Sequence, residues 1–217
     1  MWNELWLPSK RCAMMGKCQS KLLTQKQVEA LKDYNSPLQG KRIFLREVRA
    51  EDVNAQYYGW LNDPEVNRFL ETRFIPQSFE NILDYVKRMD GKADEPFFAI
   101  CLTDTGMHIG NIKIGPINWY HRHADVSLFI GEKSLWGKGV GAEAISLVMD
   151  FSFRTLNLNK LKAGAEITNI GSIKAFEKCG FVREGLLRGH VLRDGREEDV
   201  VLLGKRATDY WEKKGES

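Results

Sequence analysis

The sequence predicts a single α/β domain built on a mixed, strongly twisted sheet of about six or seven strands flanked by helices. Its 217 residues are enough for one domain with a good core and too few to argue for two. Short apolar runs of strand length alternate with segments whose apolar residues recur at helical spacing. Hydrophobic and charged fractions of 43% and 28% are those of a soluble globular protein.

Charge and composition narrow the class of protein. Residues 1–49 carry ten Lys or Arg against four Asp or Glu, and the rest of the chain carries twenty-two against twenty-five. A slightly acidic body argues against nucleic-acid binding, because such domains usually present a basic face. No apolar run approaches a membrane span or a signal peptide, so we expect a cytoplasmic protein without membrane contact. Reduced thiols are expected for the four cysteines, Cys12, Cys18, Cys101 and Cys179.

Three segments are predicted along the chain: an N-terminal extension of unknown role at 1–40, the body at 41–211 and a C-terminal tail at 212–217. In the extension, Thr24 and Gln27 form a capping-box pattern that predicts a helix from Gln25 to Tyr34. Trp2 and Trp6 are too apolar for a freely solvated tail. They predict docking on the body or on a second subunit, which leaves a homodimer open.

The first half of the body predicts one strand, three helices and a β meander. The strand covers Ile43 to Arg46, and the first helix, Glu51 to Leu61, opens with acidic residues. The second helix begins at Asp63-Pro64-Glu65, and Ser78 caps the third. The third helix has one apolar face, formed by Phe79, Ile82, Leu83, Val86 and Met89. The strands of the meander are Phe97 to Leu102 and His108 to Ile114.

The second half predicts a strand–helix–strand unit, a short helix and a last hairpin. The unit consists of the strand Val126 to Ile130, the turn Trp136 to Ala142, an amphipathic helix and the strand Leu161 to Glu166. The short helix is expected to end at Gly180 in a left-handed conformation. The hairpin is predicted from the strands Phe181 to Gly185 and Val200 to Leu203 with a turn at Arg193 to Arg196.

The glycine-rich turn between strand and helix indicates a phosphate site. Gly137, Gly139 and Gly141 bring bare backbone N–H groups to one point, and the helix dipole adds positive potential there. The dinucleotide fingerprint G-x-G-x-x-G/A also fits, with Ala142 last. That fingerprint requires its first glycine at the very end of a strand, whereas here residues Gly131 to Trp136 separate the strand from Gly137. The glycines alone leave the two cofactor classes open.

Three ordered motifs resemble the acetyl-CoA signature of the GNAT superfamily of N-acetyltransferases, in its RimJ/RimL-like branch. They are the turn Trp136 to Ala142, the Asn169-x-x-Ser172 pair and the segment Phe176 to Phe181. The resemblance covers about residues 41–211 and implies a GNAT-like domain that uses acetyl-CoA. Trp136 departs from the Gln or Arg at the first position of the superfamily pattern.

The resemblance also implies which residues hold the coenzyme. Backbone from Gly137 to Ala142 would hold the pyrophosphate, and the strand from Leu128 to Ile130 would pair with the pantetheine amides. Asn169 and Ser172 would flank the coenzyme. The full set of expected coenzyme residues is Leu128, Phe129, Ile130, Trp136, Gly137, Lys138, Gly139, Val140, Gly141, Ala142, Asn169, Ser172, Phe176 and Lys178.

Acceptor residues are predicted at two places. Glu71, Arg73 and Phe74 lie in a connecting stretch between early helices that wall the acceptor pocket in the superfamily. Trp119-Tyr120-His121 forms an aromatic hairpin tip, which predicts a rim for a flat or ringed acceptor. This hairpin is similar to one in acetyltransferases that act on nucleotide-linked amino sugars. No third ligand accompanies His121 and His123, so a metal site is not expected.

The chemistry requires a proton acceptor for the amine and a proton donor for the leaving thiolate. Many GNAT enzymes place a tyrosine as general acid where this chain has Phe176, which has no proton to donate. Ser172, or a water it holds, is the candidate donor, although it could instead be a helix N-cap. Glu166 is the first candidate for the base, and His121 the second.

The predicted function is transfer of an acetyl group from acetyl-CoA to a primary amine of a small molecule. The favoured acceptor is an amino sugar, with nucleotide-linked amino sugars included. Protein N-termini, polyamines and aminoglycosides are the alternatives. A coenzyme A-binding regulatory module without catalysis is an alternative of another class, favoured by Phe176.

Overall fold

A computed structural model describes residues 38–215, which form one eight-stranded sheet with helices on both faces. The strand order is β1-β2-β3-β4-β5-β6-β8-β7. The strands are β1 (Leu38–Gln39), β2 (Ile43–Glu47), β3 (Phe97–Leu102), β4 (His108–Ile114), β5 (His123–Ile130), β6 (Lys160–Glu166), β7 (Val182–Arg193) and β8 (Arg196–Arg206). The mixed α/β architecture confirms the predicted fold class. The strand beyond the predicted seven is β1, which lies in the predicted extension.

Three helices lie between β2 and β3, one between β5 and β6, and one between β6 and β7, in the order that the sequence predicts. A last helix, which was not predicted, follows β8. The helices are α1 (Ala55–Asn62), α2 (Pro64–Asn67), α3 (Phe79–Met89), α4 (Val140–Asp150), α5 (Ile170–Lys178) and α6 (Ala207–Lys214). Short 3-10 turns cover Ala50–Asp52, Glu71–Phe74 and Lys133–Leu135, and a π turn, Phe151–Thr155, extends α4. The last helix continues through the start of the predicted tail.

The parallel pair β5–β6 is the feature of the sheet that creates a site. All other neighbouring strands are antiparallel. The two strands pair only from His123 to Asp125 on β5 and from Lys160 to Lys162 on β6. Beyond these residues the strands separate, which leaves two unpaired strand edges facing one another.

Two apolar clusters cover the two faces of the sheet. On one face α4, the π turn and α5 bury Ile145, Val148 and Ile173 against β2 to β6. On the other face α1 and α3 bury Trp60 and Val86 against β3 and the half-buried Phe129 of β5. The gap between β5 and β6 therefore has one face on the side of α4 and the other on the side of α1, which we call the α4 face and the α1 face.

Local capping explains where the observed helices match or differ from the predictions. Ser78 accepts a hydrogen bond from the Asn81 amide at 3.1 Å, which confirms the predicted start of α3. The single helix predicted from Glu51 to Leu61 is wrong. Asn54 accepts from the amides of Gln56 and Tyr57, both at 3.0 Å, so a new helix starts after it. Gly180 has a φ of 85°, as predicted for the residue that ends α5.

Several predictions fall on residues outside the described range. The helix from Gln25 to Tyr34 and the residues Trp2, Trp6, Cys12 and Cys18 all lie in 1–37. Within residues 38–215, neither Cys101 nor Cys179 forms a disulfide. In the same range, no helix combines the length and apolarity that a membrane span requires.

Candidate active site

The gap between β5 and β6 exposes backbone hydrogen-bonding groups on both sides. The Gly131 amide donates to Ile109 and the Asp125 carbonyl accepts from Gly115, both at 2.8 Å, so odd-numbered residues of β5 face β4. Because backbone direction alternates along a strand, Val126, Leu128 and Ile130 direct their N–H and C=O groups into the gap. An extended chain with amide groups could therefore pair with this edge.

On the other side of the gap, β6 turns alternate residues toward the same space. The Ile167 amide donates to the Asp199 carbonyl of β8 at 2.8 Å, so Gly164 and Glu166 face the gap. Gly164 and Ser127 are exposed. The gap is consequently open to solvent on the α1 face, where their side-chain positions point.

The loop from Gly137 to Ala142 leads into the N-terminus of α4. Gly137 and Gly139 have φ values of 72° and 84°, in the left-handed region that favours glycine. The Lys138 amide donates to the Leu135 carbonyl at 3.2 Å, and the next amide that reaches a backbone carbonyl is that of Glu143, which donates to Gly139 at 3.1 Å. Among the described residues, the amides from Gly139 to Ala142 have no acceptor, as at the start of any helix. Together with the helix dipole they favour an anion.

Two cations lie beside this loop. A Cβ atom at Gly139 would lie 3.4 Å from Nη2 of Arg42 and 4.0 Å from Nζ of Lys178. Arg42 donates from Nη1 to the Lys138 carbonyl at 2.7 Å and pairs with Glu143 at 3.0 Å. Burial alone would raise the pKa of Glu143, but hydrogen bonds from Arg42 outweigh burial and lower the pKa. Glu143 therefore stays ionised and holds Arg42 beside the loop.

Arg42 was not among the predicted site residues. It lies about one hundred positions before the glycine turn and belongs to no motif, so no spacing in the sequence connects it to the turn. Lys178, which was predicted, reaches the loop from the end of α5.

Trp136 fixes the loop to the end of β5. Its indole Nε1 donates to the Ile130 carbonyl at 2.8 Å, and the residue is 39% exposed. This bond occupies the last carbonyl of β5 that points into the gap. The Trp136 side chain therefore fixes both the position of the loop and the point where the unpaired edge of β5 ends.

The start of α5 lies beyond the end of β6. Asn169 is the N-cap, and its Oδ1 accepts from the Ser172 amide at 3.2 Å. The alternative that Ser172 is an N-cap is therefore wrong, because Ser172 lies in the third position of the helix. Its half-buried hydroxyl is left for another role.

Some predicted coenzyme residues have their side chains in the core. Phe176 is 2% exposed and its ring packs against that of Phe181, with centroids 5.0 Å apart. Val140 and Ala142 are also buried. Phe129 packs on the α1 face against the Trp60 ring at 6.3 Å. Phe176, predicted as a coenzyme residue, thus turns its ring into the core.

Glu166 and Arg73, predicted separately as base and substrate contact, lie together at the open end of β6. Oε2 of Glu166 accepts from Nε of Arg193 at 3.0 Å and from Nη2 of the same residue. Oε1 lies 3.6 Å from Nη2 of Arg73 and accepts no hydrogen bond from the described residues. Phe74 stacks under Arg73 at 4.2 Å, and Glu71 lies exposed 3.7 Å from Arg73. Arg193, from the last hairpin, was not predicted.

The predicted aromatic rim is not part of this cluster. Trp119, Tyr120 and His121 lie in the turn before β5, at the end where β5 and β6 are paired. The opposite end of β5 is seven residues away, about 23 Å in an extended strand. Trp119 packs on the α4-face cluster, and Tyr120 is 97% exposed. The structure therefore does not bring these three residues together with Glu166 and Arg73, and His121 lies beside the paired end of β5.

A buried polar group lies under the α1 face of β4. Nε2 of His108 is 2.7 Å from Oδ1 of Asn111 and 3.0 Å from the Gly110 carbonyl. Burial lowers the pKa of His108, against the opposing effects of Asn111 and Asp52. The ring of His108 also contacts Trp60 edge-on at 5.2 Å. A neutral histidine thus forms part of the packing beneath α1. Among residues 38–215, no three His, Cys, Asp or Glu side chains are grouped as a metal site.

Comparisons with known proteins agree with this geometry. Residues 42–182 match the family model described as an acetyltransferase (GNAT) domain. The chain is 29% identical over 172 residues to an uncharacterized N-acetyltransferase, p20, of Bacillus licheniformis, covering 78% of this chain and 96% of that protein. It is 29% identical over 163 residues to spermidine N(1)-acetyltransferase of Escherichia coli strain K12, covering 75% and 81%.

The fold is also shared with solved structures. A crystal structure of spermidine N-acetyltransferase from Vibrio cholerae in complex with CoA and spermine superposes with a TM-score of 0.71 at 24% identity. The match covers 79% of this chain and 99% of that one. With the family match over residues 42–182, the open strand pair and the glycine loop have a common explanation: the chain belongs to the GNAT family of acetyltransferases and is an N-acetyltransferase.

Proposed function

We propose that this protein transfers an acetyl group from acetyl-CoA to a primary amine of a small molecule, by direct attack in a ternary complex. The observation that carries the proposal is the unpaired edge of β5, which ends at a helix N-terminus flanked by Arg42 and Lys178. The edge offers partners for the amides of an acyl carrier, and the helix start with its two cations suits phosphates.

The residues at the gap fit coenzyme A. Its pyrophosphate would accept from the amides between Gly137 and Ala142, with Arg42 and Lys178 opposing its charge. Its pantetheine arm would pair with the gap-facing backbone of Leu128 and the amide of Ile130. Asn169 and Ser172, at the start of α5, would flank the arm. The RimJ/RimL-like assignment within the family rests on the motif resemblance.

The chemistry uses groups that meet at the open end of the gap. The thioester supplies a good leaving group, because a thiol ionises near pH 8.5. Oε1 of Glu166 takes a proton from the amine, whose nitrogen forms a bond to the carbonyl carbon as the C–S bond breaks. Backbone amides of β5 stabilise the negative charge on the carbonyl oxygen. Ser172, or a water it holds, returns a proton to the thiolate.

The favoured acceptor is an amino sugar, in free or nucleotide-linked form. The site has room on the α1 face, where Ser127 and Gly164 are exposed. Spermidine is the second candidate, since relatives from Escherichia coli and Vibrio cholerae are named spermidine N(1)-acetyltransferases. Amino sugars and spermidine differ in charge, so the charged side chains at the open end of β6 determine which of the two the site favours.

Thiol release from acetyl-CoA, measured with a panel of amines, tests the proposal. The panel contains amino sugars, nucleotide-linked amino sugars, spermidine and an N-terminal peptide. We expect release with at least one small amine and a product heavier by one acetyl group. No release with any amine, together with no binding of acetyl-CoA by calorimetry, would contradict the proposed function.

The base assignment has its own test. Glu166→Gln should lower kcat/KM about 10²- to 10⁴-fold near neutral pH. Glu80→Gln, on the exposed side of α3, is the matched control and should leave kcat/KM unchanged. An unchanged kcat/KM in Glu166→Gln would exclude Glu166 as the base.

A further inference from the structure

Two arginine–phenylalanine stacks surround Glu166 at the open end of β6. The guanidinium of Arg73 lies 4.2 Å over the ring of Phe74, and that of Arg193 lies 4.6 Å over the ring of Phe69. Both guanidinium groups face the carboxylate of Glu166, which is 7% exposed. Stacking on a ring holds a guanidinium plane in one orientation, so its N–H donors point in fixed directions.

The cluster carries more positive charge than its buried carboxylate balances. One guanidinium is enough to neutralise Glu166, and Arg193 provides two hydrogen bonds to its Oε2 atom. Arg73 lies 3.6 Å from Oε1. Glu71, 3.7 Å from Arg73, has a side chain that is 82% exposed, so water screens its charge. The open end of the gap is therefore electropositive on its acceptor side.

Donors remain available on both arginines. Nη2 of Arg73 is buried and has no hydrogen-bond partner among the described residues. In the same range, Nη1 of Arg193 has no partner, whereas its Nε and Nη2 bond to Glu166 and its Nη2 also bonds to the Arg68 carbonyl. The side chain of Arg193 is 20% exposed, so a bound molecule can reach it. Because Nη2 of Arg73 is buried, Arg73 contributes positive charge to a bound anion, whereas Nη1 of Arg193 can donate to it.

We propose that Arg193 and Arg73 form an anion subsite, and that the acceptor is an amine that also carries a phosphate or carboxylate group. The inference rests on the proposed function and narrows its acceptor class. The anionic group binds Nη1 of Arg193 at the rim, with Arg73 adding positive charge from below. The amine then extends toward Oε1 of Glu166 and the gap between β5 and β6.

This subsite separates the two acceptors considered above. A polyamine carries only positive charge, and Glu166 is already held by two guanidinium groups, so spermidine has no free carboxylate there. A phosphorylated or nucleotide-linked amino sugar has both a primary amine and an anion. Electrostatics at this end of the gap favours the second kind of molecule.

Three amines with one ring and one amino group test the subsite: glucosamine, glucosamine 6-phosphate and 2-amino-2-deoxyglucuronic acid. Initial rates of thiol release give kcat/KM for each, and spermidine is added as a polycation. We expect the wild-type protein to prefer the phosphate or carboxylate form to glucosamine by about 10- to 100-fold, the value of one charge-assisted hydrogen bond. Comparison of the phosphate and carboxylate compounds identifies which anion the subsite binds.

Variants assign the preference to the two arginines. Arg193→Gln and Arg73→Gln should each reduce the preference to a few-fold, mainly through KM. Unchanged binding of acetyl-CoA by calorimetry is the check on folding. Arg193→Lys keeps the charge and should restore part of the preference. Arg196→Gln is the matched control, because Arg196 lies opposite Arg193 at the turn of the same hairpin and has no ion pair among residues 38–215.

Equal kcat/KM for all three ring amines would overturn the inference while leaving the proposed function standing. A preference unchanged in Arg193→Gln and Arg73→Gln would also overturn it. If no amine is acetylated, the proposed function fails, and the subsite is tested by calorimetry with CoA present. Equal binding of glucosamine and glucosamine 6-phosphate in that titration would then overturn the subsite as well.

Discussion

Substitution of Gly139 by alanine gives the most specific test of the phosphate loop. Gly139 has a φ of 84°, and holding a residue with a Cβ in this left-handed region costs about 1–2 kcal/mol. The new methyl would stand 3.4 Å from Nη2 of Arg42 and 4.0 Å from Nζ of Lys178, in the space where a phosphate would meet both cations. Losing one charge-assisted hydrogen bond, worth about 1.5–3 kcal/mol, raises Kd roughly 10- to 100-fold.

Calorimetric titration with acetyl-CoA measures this change, and Gly91→Ala is its matched control. Gly91 has a φ of 65°, and a Cβ there would meet nothing within 4 Å. Both variants should lose about 1–2 kcal/mol of unfolding free energy. Only Gly139→Ala should bind acetyl-CoA more weakly. If both variants bind as the wild type does, or if both weaken equally, Gly139 does not lie at the phosphates.

Three further predictions concern the loop, the core and the buried histidine. Trp136→Phe removes the donor to the Ile130 carbonyl and should raise Kd for acetyl-CoA about 3- to 10-fold, as a hydrogen bond worth about 1 kcal/mol implies. An unchanged Kd by calorimetry would show that this hydrogen bond does not hold the loop in position. Phe176→Tyr should cost about 1–3 kcal/mol of unfolding free energy, since a hydroxyl enters the core; unchanged stability with a raised kcat would show instead that this position faces the thioester. Burial lowers the pKa of His108, so this side chain binds a proton more tightly in the unfolded chain than in the folded one. The contribution of neutral His108 to the free energy of unfolding is therefore complete above about pH 6.5 and is lost as the pH falls below that value. Denaturant unfolding between pH 7.5 and 5.5 should show this fall, at most about 1.4 kcal/mol per pH unit for one group, and His108→Gln should flatten it; equal slopes would contradict the buried neutral form.

Much of the fold could be predicted because its signals are local. Ser78 and the apolar face after it predict α3, and the apolar runs at β3 and β4 match the observed strands from end to end. The helix predicted from Glu51 fails for a local reason as well, since Asn54 offers its side chain to the amides after it and starts α1 anew. β1 was missed because a two-residue strand has no periodicity to detect.

The candidate site likewise combines residues from continuous sequence motifs with residues from distant parts of the chain. The glycine loop and Lys178 could be predicted from motifs that are continuous in the sequence. Arg42 and Arg193 could not, because Arg42 directly precedes β2 and Arg193 ends β7, and only the sheet order brings these distant parts of the chain to the site. The aromatic turn at Trp119 was predicted as a rim from its composition, whereas its distance from Glu166 and Arg73 depends on which end of β5 separates from β6.

Amide hydrogen exchange with and without CoA tests the central claim most directly, because it reports on the backbone groups that are expected to hold the coenzyme. We predict slower exchange at the amides from Gly139 to Ala142 and at Leu128 and Ile130 of the open β5 edge. The strand pairs β2–β3 and β7–β8 should be unaffected. Protection elsewhere on the molecule, with these amides unchanged, would contradict the account.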